Sequence, residues 1–155
     1  MSEIILRSKI HPADIETIIE RHWILYEKEY GFDRTFRAYV TDSLQVKIEC
    51  IWIAERDETF AGCIGVVEAD KKTAQLRWLL VEPASRNLGL GRTLMQKLID
   101  YCKEKKYELI FLWTVNKLPA ARSLYEGFGF QLNEQRPEKM LWGQKLIEER
   151  WDLSL

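Results

Sequence analysis

The residues best suited to chemistry form one run, Arg86-Asn87-Leu88-Gly89-Leu90-Gly91-Arg92-Thr93. Their types bind rather than react. Glycines at 89 and 91 let the backbone approach a ligand closely. Behind them Leu94, Leu98, Ile99 and Cys102 recur at helical spacing, with Gln96, Lys97, Asp100 and Lys103 on the opposite face. The free N–H groups of that helix's first turn and the positive end of its dipole converge on the run, which suits a phosphate. A P-loop would need glycine where Arg86 stands and lysine where Arg92 stands, and the dinucleotide fingerprint would need glycine at Leu94. An unrelated nucleotide-binding domain is therefore disfavoured.

Two carboxylates are candidates for proton removal, Glu29 at the end of a first helix and Glu68 late in a third strand. Solvated surface carboxylates would fit the same positions. His22, on the first helix, reads as a packed or surface histidine. Trp23, Tyr26, Tyr30, Phe36 and Trp113 suit an aromatic ligand pocket, although helix-on-sheet packing explains most of them as well.

The elements that must position these groups can be read in order. Residues 3 to 8 alternate as a short strand. Ile15 to Glu29 repeat at three and four as an amphipathic helix ended by Gly31, and a second helix is expected from Thr35 to about Lys47. Cys50–Glu55 and Thr59–Glu68 flank the polar turn Arg56-Asp57-Glu58 as a hairpin. Asp70-Lys71-Lys72 then turns into a strand from Thr73 to Glu82, apolar through Leu79, Leu80 and Val81 and closed by Pro83. After the helix behind the glycine-containing run comes a buried parallel strand, Leu109–Thr114. A helix bearing Ala120, Ala121, Leu124 and Tyr125 follows, then Gly127-Phe128-Gly129-Phe130. Gln131–Glu134 and Ile147–Leu153 read as two closing strands joined by a loop through Pro137. The order β-α-α-β-β-β-α-β-α-β-β implies an α/β fold (α+β): a mixed, mostly antiparallel sheet of about seven strands with helices on both faces.

Arg-x-x-Gly-x-Gly after a Leu-x-Val-x-Pro strand end resembles the pyrophosphate motif of the GNAT superfamily of acetyl-CoA-dependent N-acetyltransferases. The strand, tyrosine-bearing helix and Gly-Phe that follow extend the likeness over roughly residues 50 to 135. More narrowly, Glu29-Tyr30-Gly31-Phe32-Asp33 and Leu112-Trp113-Thr114 resemble the acetyltransferase domain often fused behind MarR-type regulators.

The resemblance implies acetyl-CoA as acyl donor and a primary amine as acceptor. It implies that the strand splays after Leu79, Leu80 and Val81, so that its backbone pairs with the pantetheine arm and a main-chain N–H faces the thioester oxygen. Asn87 to Thr93 would hold the pyrophosphate, with charge from Arg86 and Arg92. Tyr125 matches the tyrosine that protonates the thiolate; its other reading is a core aromatic. The family's usual asparagine falls on Leu118, and Asn116, two residues earlier, is the candidate to replace it. A non-catalytic acyl-CoA sensor or interaction module is the alternative in another class.

Composition bounds the rest. The chain of 155 residues suits one domain, residues 1–155, with 46% hydrophobic and 30% charged residues. A net charge of -1 with interspersed signs gives no field favouring nucleic acid. Cys50, Cys63 and Cys102 are odd in number and set in apolar patterns, which points to buried thiols in a reducing compartment. No metal spacing, signal peptide or membrane-length apolar run is present. The expectation is a cytoplasmic monomer or homodimer without nucleic-acid or membrane partners.

Overall fold

A computed structural model describes residues 3–155. Strand β1 (Ile4–Arg7) leads to helices α1 (Asp14–Tyr30) and α2 (Thr35–Ser43). Strands β2 (Cys50–Arg56), β3 (Thr59–Asp70) and β4 (Thr73–Val81) follow as a meander. A 3-10 turn over Pro83–Ser85 precedes helix α3 (Leu90–Glu104), strand β5 (Leu109–Val115) and helix α4 (Pro119–Gly127). The chain closes with β6 (Gln131–Gln135), β7 (Lys139–Leu141), β8 (Gln144–Leu146) and β9 (Glu148–Ser154).

Local chemistry sets the main boundaries. Helix α1 stops at Gly31, whose φ of 72° is left-handed and whose N–H reaches Glu27 O at 2.9 Å. The β2–β3 turn needs positive φ at both central residues, and Asp57 and Glu58 supply 52° and 62°. Helix α2 ends at Ser43 rather than near Lys47. Its last residue is taken from outside: Arg77 Nη1 donates to Ser43 O at 3.1 Å and Trp78 Nε1 to Ser43 Oγ at 2.8 Å. The segment expected to be a loop through Pro137 instead contains the small β7–β8 hairpin, turned by Trp142 and Gly143 with φ of 50° and 84°.

Seven strands make the main sheet in the order β1-β2-β3-β4-β5-β9-β6. All neighbours are antiparallel except β4 and β5. One core lies between the sheet and α3 and α4, holding Ile64, Leu94, Leu98, Leu112 and Trp151. The other lies under α1 and α2 with Ile18, Leu25, Phe36, Ile51 and Ile53. Glu149 on β9 is fully buried, and its carboxylate is met by Arg122 Nη2 and Gln135 Nε2, each at 3.0 Å.

Candidate active site

Two features of β4 create the site. First, β4 pairs with β5 only through Thr73, Ala74 and Gln75, opposite Leu109, Ile110 and Phe111. Beyond them the strands part, leaving the β5-facing edge of β4 without a strand partner from Leu76 to Val81. Second, β4 slips register against β3 between the pairs Gly65↔Arg77 and Cys63↔Leu80. Trp78, at a φ of 56°, is the irregular residue. The slip reverses the strand's faces: Ala74 and Leu76 lie in the α3 core, whereas Trp78 and Leu80 lie in the α1 core and Leu79 and Val81 pack on the α3 side. The sequence gives no sign of this reversal, because buried and part-buried positions still alternate along β4.

Where the strands part there is a cavity of about 560 Å³. Its walls come from both cores, with Leu79 and Leu112 from one and Tyr26, Phe36 and Trp78 from the other. The unforeseen hairpin adds Trp142, and β9 adds Glu148. The aromatic wall is continuous: Phe36 stacks on Tyr26 at 4.8 Å and meets Trp142 edge-on at 4.7 Å.

At the end of β4 the loop from Arg86 to Gly89 carries left-handed backbone at Asn87 (65°) and Gly89 (76°). The first helical bond of α3 is Thr93 N to Gly89 O at 3.0 Å. The N–H groups of Leu90, Gly91 and Arg92 lie ahead of it and have no carbonyl to meet within the helix. A Cβ at Gly91 would lie 3.6 Å from Leu124 and 3.8 Å from Val81, so the loop sits where β4, α3 and α4 meet. Arg92 is exposed and, among the described residues, meets no carboxylate.

Arg86 is engaged elsewhere. Its two terminal nitrogens grip Glu29 at 2.7 and 2.6 Å, and the cation holds the Glu29 carboxyl below its ordinary pKa. Glu29, a candidate for proton removal, thus lies beside the loop and is not among the residues lining the cavity. Glu68, the other candidate, lies farther away. It pairs with Ala74 at the end where β4 and β5 are still joined, and lines a separate cavity with Tyr107, whose hydroxyl is 3.3 Å away.

Asn116 is also differently employed: its Oδ1 accepts the Ile147 N–H at 3.0 Å, tying the end of β5 to the start of β9. Leu118 is buried in the α1 core at the start of α4.

Tyr125 projects from α4 into the α3 core, 6% exposed, with Phe130 and Trp151 rings 5.9 and 6.4 Å away. Burial raises its pKa, and burial, with a smaller contribution from Tyr125, also raises that of Tyr26. Among the described residues no protein group hydrogen-bonds the Tyr125 hydroxyl. His22 is in the cavity wall. Its Nδ1 must donate to Ile18 O at 2.7 Å, its buried Nε2 has no partner, and burial pulls its pKa down to about 4. No sequence signal distinguished His22 from a packed histidine; it takes the fold to place it beside the cavity.

A family model described as the acetyltransferase (GNAT) family matches residues 14–130. The chain belongs to the GNAT acetyltransferase family. An N-acetyltransferase of Schizosaccharomyces pombe, itself uncharacterised, is 33% identical over 118 residues, covering 70% of this chain and 72% of its relative. Human N-acetyltransferase 8B is 29% identical over 91 residues, and the match spans only 40% of that protein's length. The GNAT fold itself is shared across the whole chain. An acetyltransferase of the family from Staphylococcus aureus superposes with a TM-score of 0.78 at 23% identity, covering 98% of this chain and 99% of that one. A Salmonella typhimurium protein solved with its cofactor acetyl-CoA superposes with a TM-score of 0.72 at 20% identity, covering 97% and 93%.

Proposed function

We propose that this GNAT protein moves the acetyl group of acetyl-CoA to a primary amine by direct attack, as one N-acetyltransferase domain working in the cytoplasm. The observation that supports this most directly is the unpaired edge of β4 beyond Gln75, which begins beside a cavity and ends at a loop of free N–H groups. The edge from Leu79 to Val81 can take the pantetheine arm as an added strand, while Asn87 to Thr93 receive the pyrophosphate. A main-chain N–H at the bulge polarises the thioester carbonyl, because a bulged residue turns its N–H out of the ladder.

The neutral amine attacks from the cavity, the C–S bond breaks as the C–N bond forms, the Tyr125 O–H gives its proton to the departing sulfur, and the proton shed by the nitrogen passes to water, which returns one to the tyrosinate. A tyrosine hydroxyl is protonated at neutral pH even at its ordinary pKa, and with no competing partner among the described residues its donor is free. The narrower likeness to domains fused behind MarR-type regulators rests on residues 29–33 and 112–114, which here build the end of α1 with the turn after it and part of β5.

The test is thiol release from acetyl-CoA over a panel of amines, with Tyr125→Phe as the variant. The change keeps the ring among Phe130 and Trp151 and removes only the donor. We expect kcat to fall by about 10²-fold, the usual scale of general acid catalysis, with acetyl-CoA binding little changed. Wild-type kcat in the folded variant, with the chemical step shown to limit, would exclude the role.

A further inference from the structure

The bulge at Trp78 has a chemical effect beyond exposing an N–H. It puts two consecutive side chains, Arg77 and Trp78, on the same face of the sheet, and both reach Ser43 at the end of α2. Arg77 therefore lies in the cavity wall beside the indole, its guanidinium carbon 5.8 Å from the ring centroid. Its other protein bond is Nε to Gln75 Oε1 at 3.1 Å. A guanidinium has five N–H donors, so Nη2 and one N–H of Nη1 remain without an acceptor among the described residues.

The charges around the cavity make this arginine unlike the rest. Arg136 in the same wall is 3.5 Å from Glu148. Lys139 is 2.9 Å from that carboxylate. Arg77 is met by no carboxylate among the described residues, although it is partly buried and burial disfavours its charged form. The carbonyl end of α2 offsets some of that cost, but as a partial charge.

We infer that the acceptor amine also carries a carboxylate, which Arg77 holds at the cavity wall while the apolar part lies among Phe36, Trp78, Trp113 and Trp142. Arg77 and Leu79 are two residues apart on either side of the bulge, at most about 7 Å along the chain. An amine presented near the bulge can therefore have its carboxylate within reach of a long arginine side chain. The substrate class is an amino acid, or a close analogue, with a bulky apolar side group. This rests on the transfer reading above and narrows it.

Three probes separate the groups: 3-phenylpropanoate has the carboxylate without the amine, phenethylamine has the amine without the carboxylate, and phenylalanine has both. By calorimetry the protein should bind 3-phenylpropanoate, and Arg77→Met should weaken it about tenfold or more, the scale of one or two hydrogen bonds to a charged group. In thiol release, wild type should prefer phenylalanine to phenethylamine, and Arg77→Met should abolish the preference with phenethylamine nearly unaffected. If Arg77→Met melts, Arg77→Gln, which keeps a donor for Ser43 O, is read in the same way.

Equal loss on both amines would make Arg77 a tether for α2 and overturn the inference, as would a wild-type preference for phenethylamine. Arg77-dependent binding of 3-phenylpropanoate with no amine ever acetylated would leave the anion site standing and refute the transfer reading instead.

Discussion

Glu29→Gln should tighten acetyl-CoA binding while slightly destabilising the free protein. With no ligand, both terminal nitrogens of Arg86 are spent on Glu29, at 2.7 and 2.6 Å. If Arg86 is to add its charge to a pyrophosphate in the adjacent loop, it must share or leave that carboxylate. The two side chains are 40% and 25% exposed, so solvent screens the pair and it contributes about 0.5–1 kcal/mol. The same amount opposes ligand binding, and removing it should tighten acetyl-CoA about two- to fivefold. The gain should shrink in high salt.

Acid gives a second signature. Arg86 depresses the folded pKa of Glu29, so the pair's stabilisation is present above the ordinary carboxylate value of 4.5 and is lost as pH falls through the folded value. Wild type and Glu29→Gln should therefore converge in stability as the solution is acidified. Calorimetric titration with acetyl-CoA, beside melting curves across pH, measures both effects. Unchanged or weaker binding by the folded variant would show that Arg86 serves α1 and not the phosphates.

Gly91→Asp should leave the fold intact, since its Cβ meets Leu124 and Val81 at ordinary distances of 3.6 and 3.8 Å. Its carboxylate should repel the pyrophosphate by about 1–3 kcal/mol, a tenfold or greater loss of acetyl-CoA affinity by calorimetry. His22 has a folded pKa of about 4 against an ordinary 6.5, so its stabilisation is full above pH 6.5 and declines as pH falls toward 4. That difference amounts to about 3 kcal/mol, and urea unfolding of His22→Gln should show a flatter pH dependence over this window. Arg122→Met removes the cation from fully buried Glu149, and urea unfolding should show a loss of about 3 kcal/mol, with Gln135 left as a partial partner.

The element order was legible because each long element carries its own period or stop signal. Gly31 ends α1, and the polar residues at 57 and 58 turn the hairpin between two apolar runs. What could not be read was anything set by the register between strands or by elements too short to show a period. The bulge at Trp78 is a relation between β3 and β4, and nothing in Leu76-Arg77-Trp78-Leu79 marks which residue is extra. The β7–β8 hairpin has two strands of three residues, too short for an alternation to stand out, yet its Trp142 closes the cavity wall. The position of Glu68 relative to the cavity was hidden for a related reason. Its place late in β3 is opposite the beginning of β4, and only the antiparallel register shows that this is the closed end of the gap.

Helix α1 gives the two halves of the site a common support. Arg21 grips Glu82 at 2.8 and 2.7 Å, and eight residues later Glu29 grips Arg86. The polarity alternates: cation on the helix in the first pair, anion in the second. Docking α1 in the reverse direction would set Arg21 against Arg86 and Glu29 against Glu82, so charge specifies an orientation that apolar burial alone would leave open. Between the two grips, His22 and Tyr26 point toward the cavity. The loop ahead of α3 thus cannot move toward a ligand without breaking a bidentate pair or carrying α1 with it, and α1 carries part of the cavity wall. Such a shared rigid element is the physical requirement for the donor loop and the acceptor cavity to sense each other. Glu29→Gln probes it as well: with one grip released, loop and wall are free to respond separately.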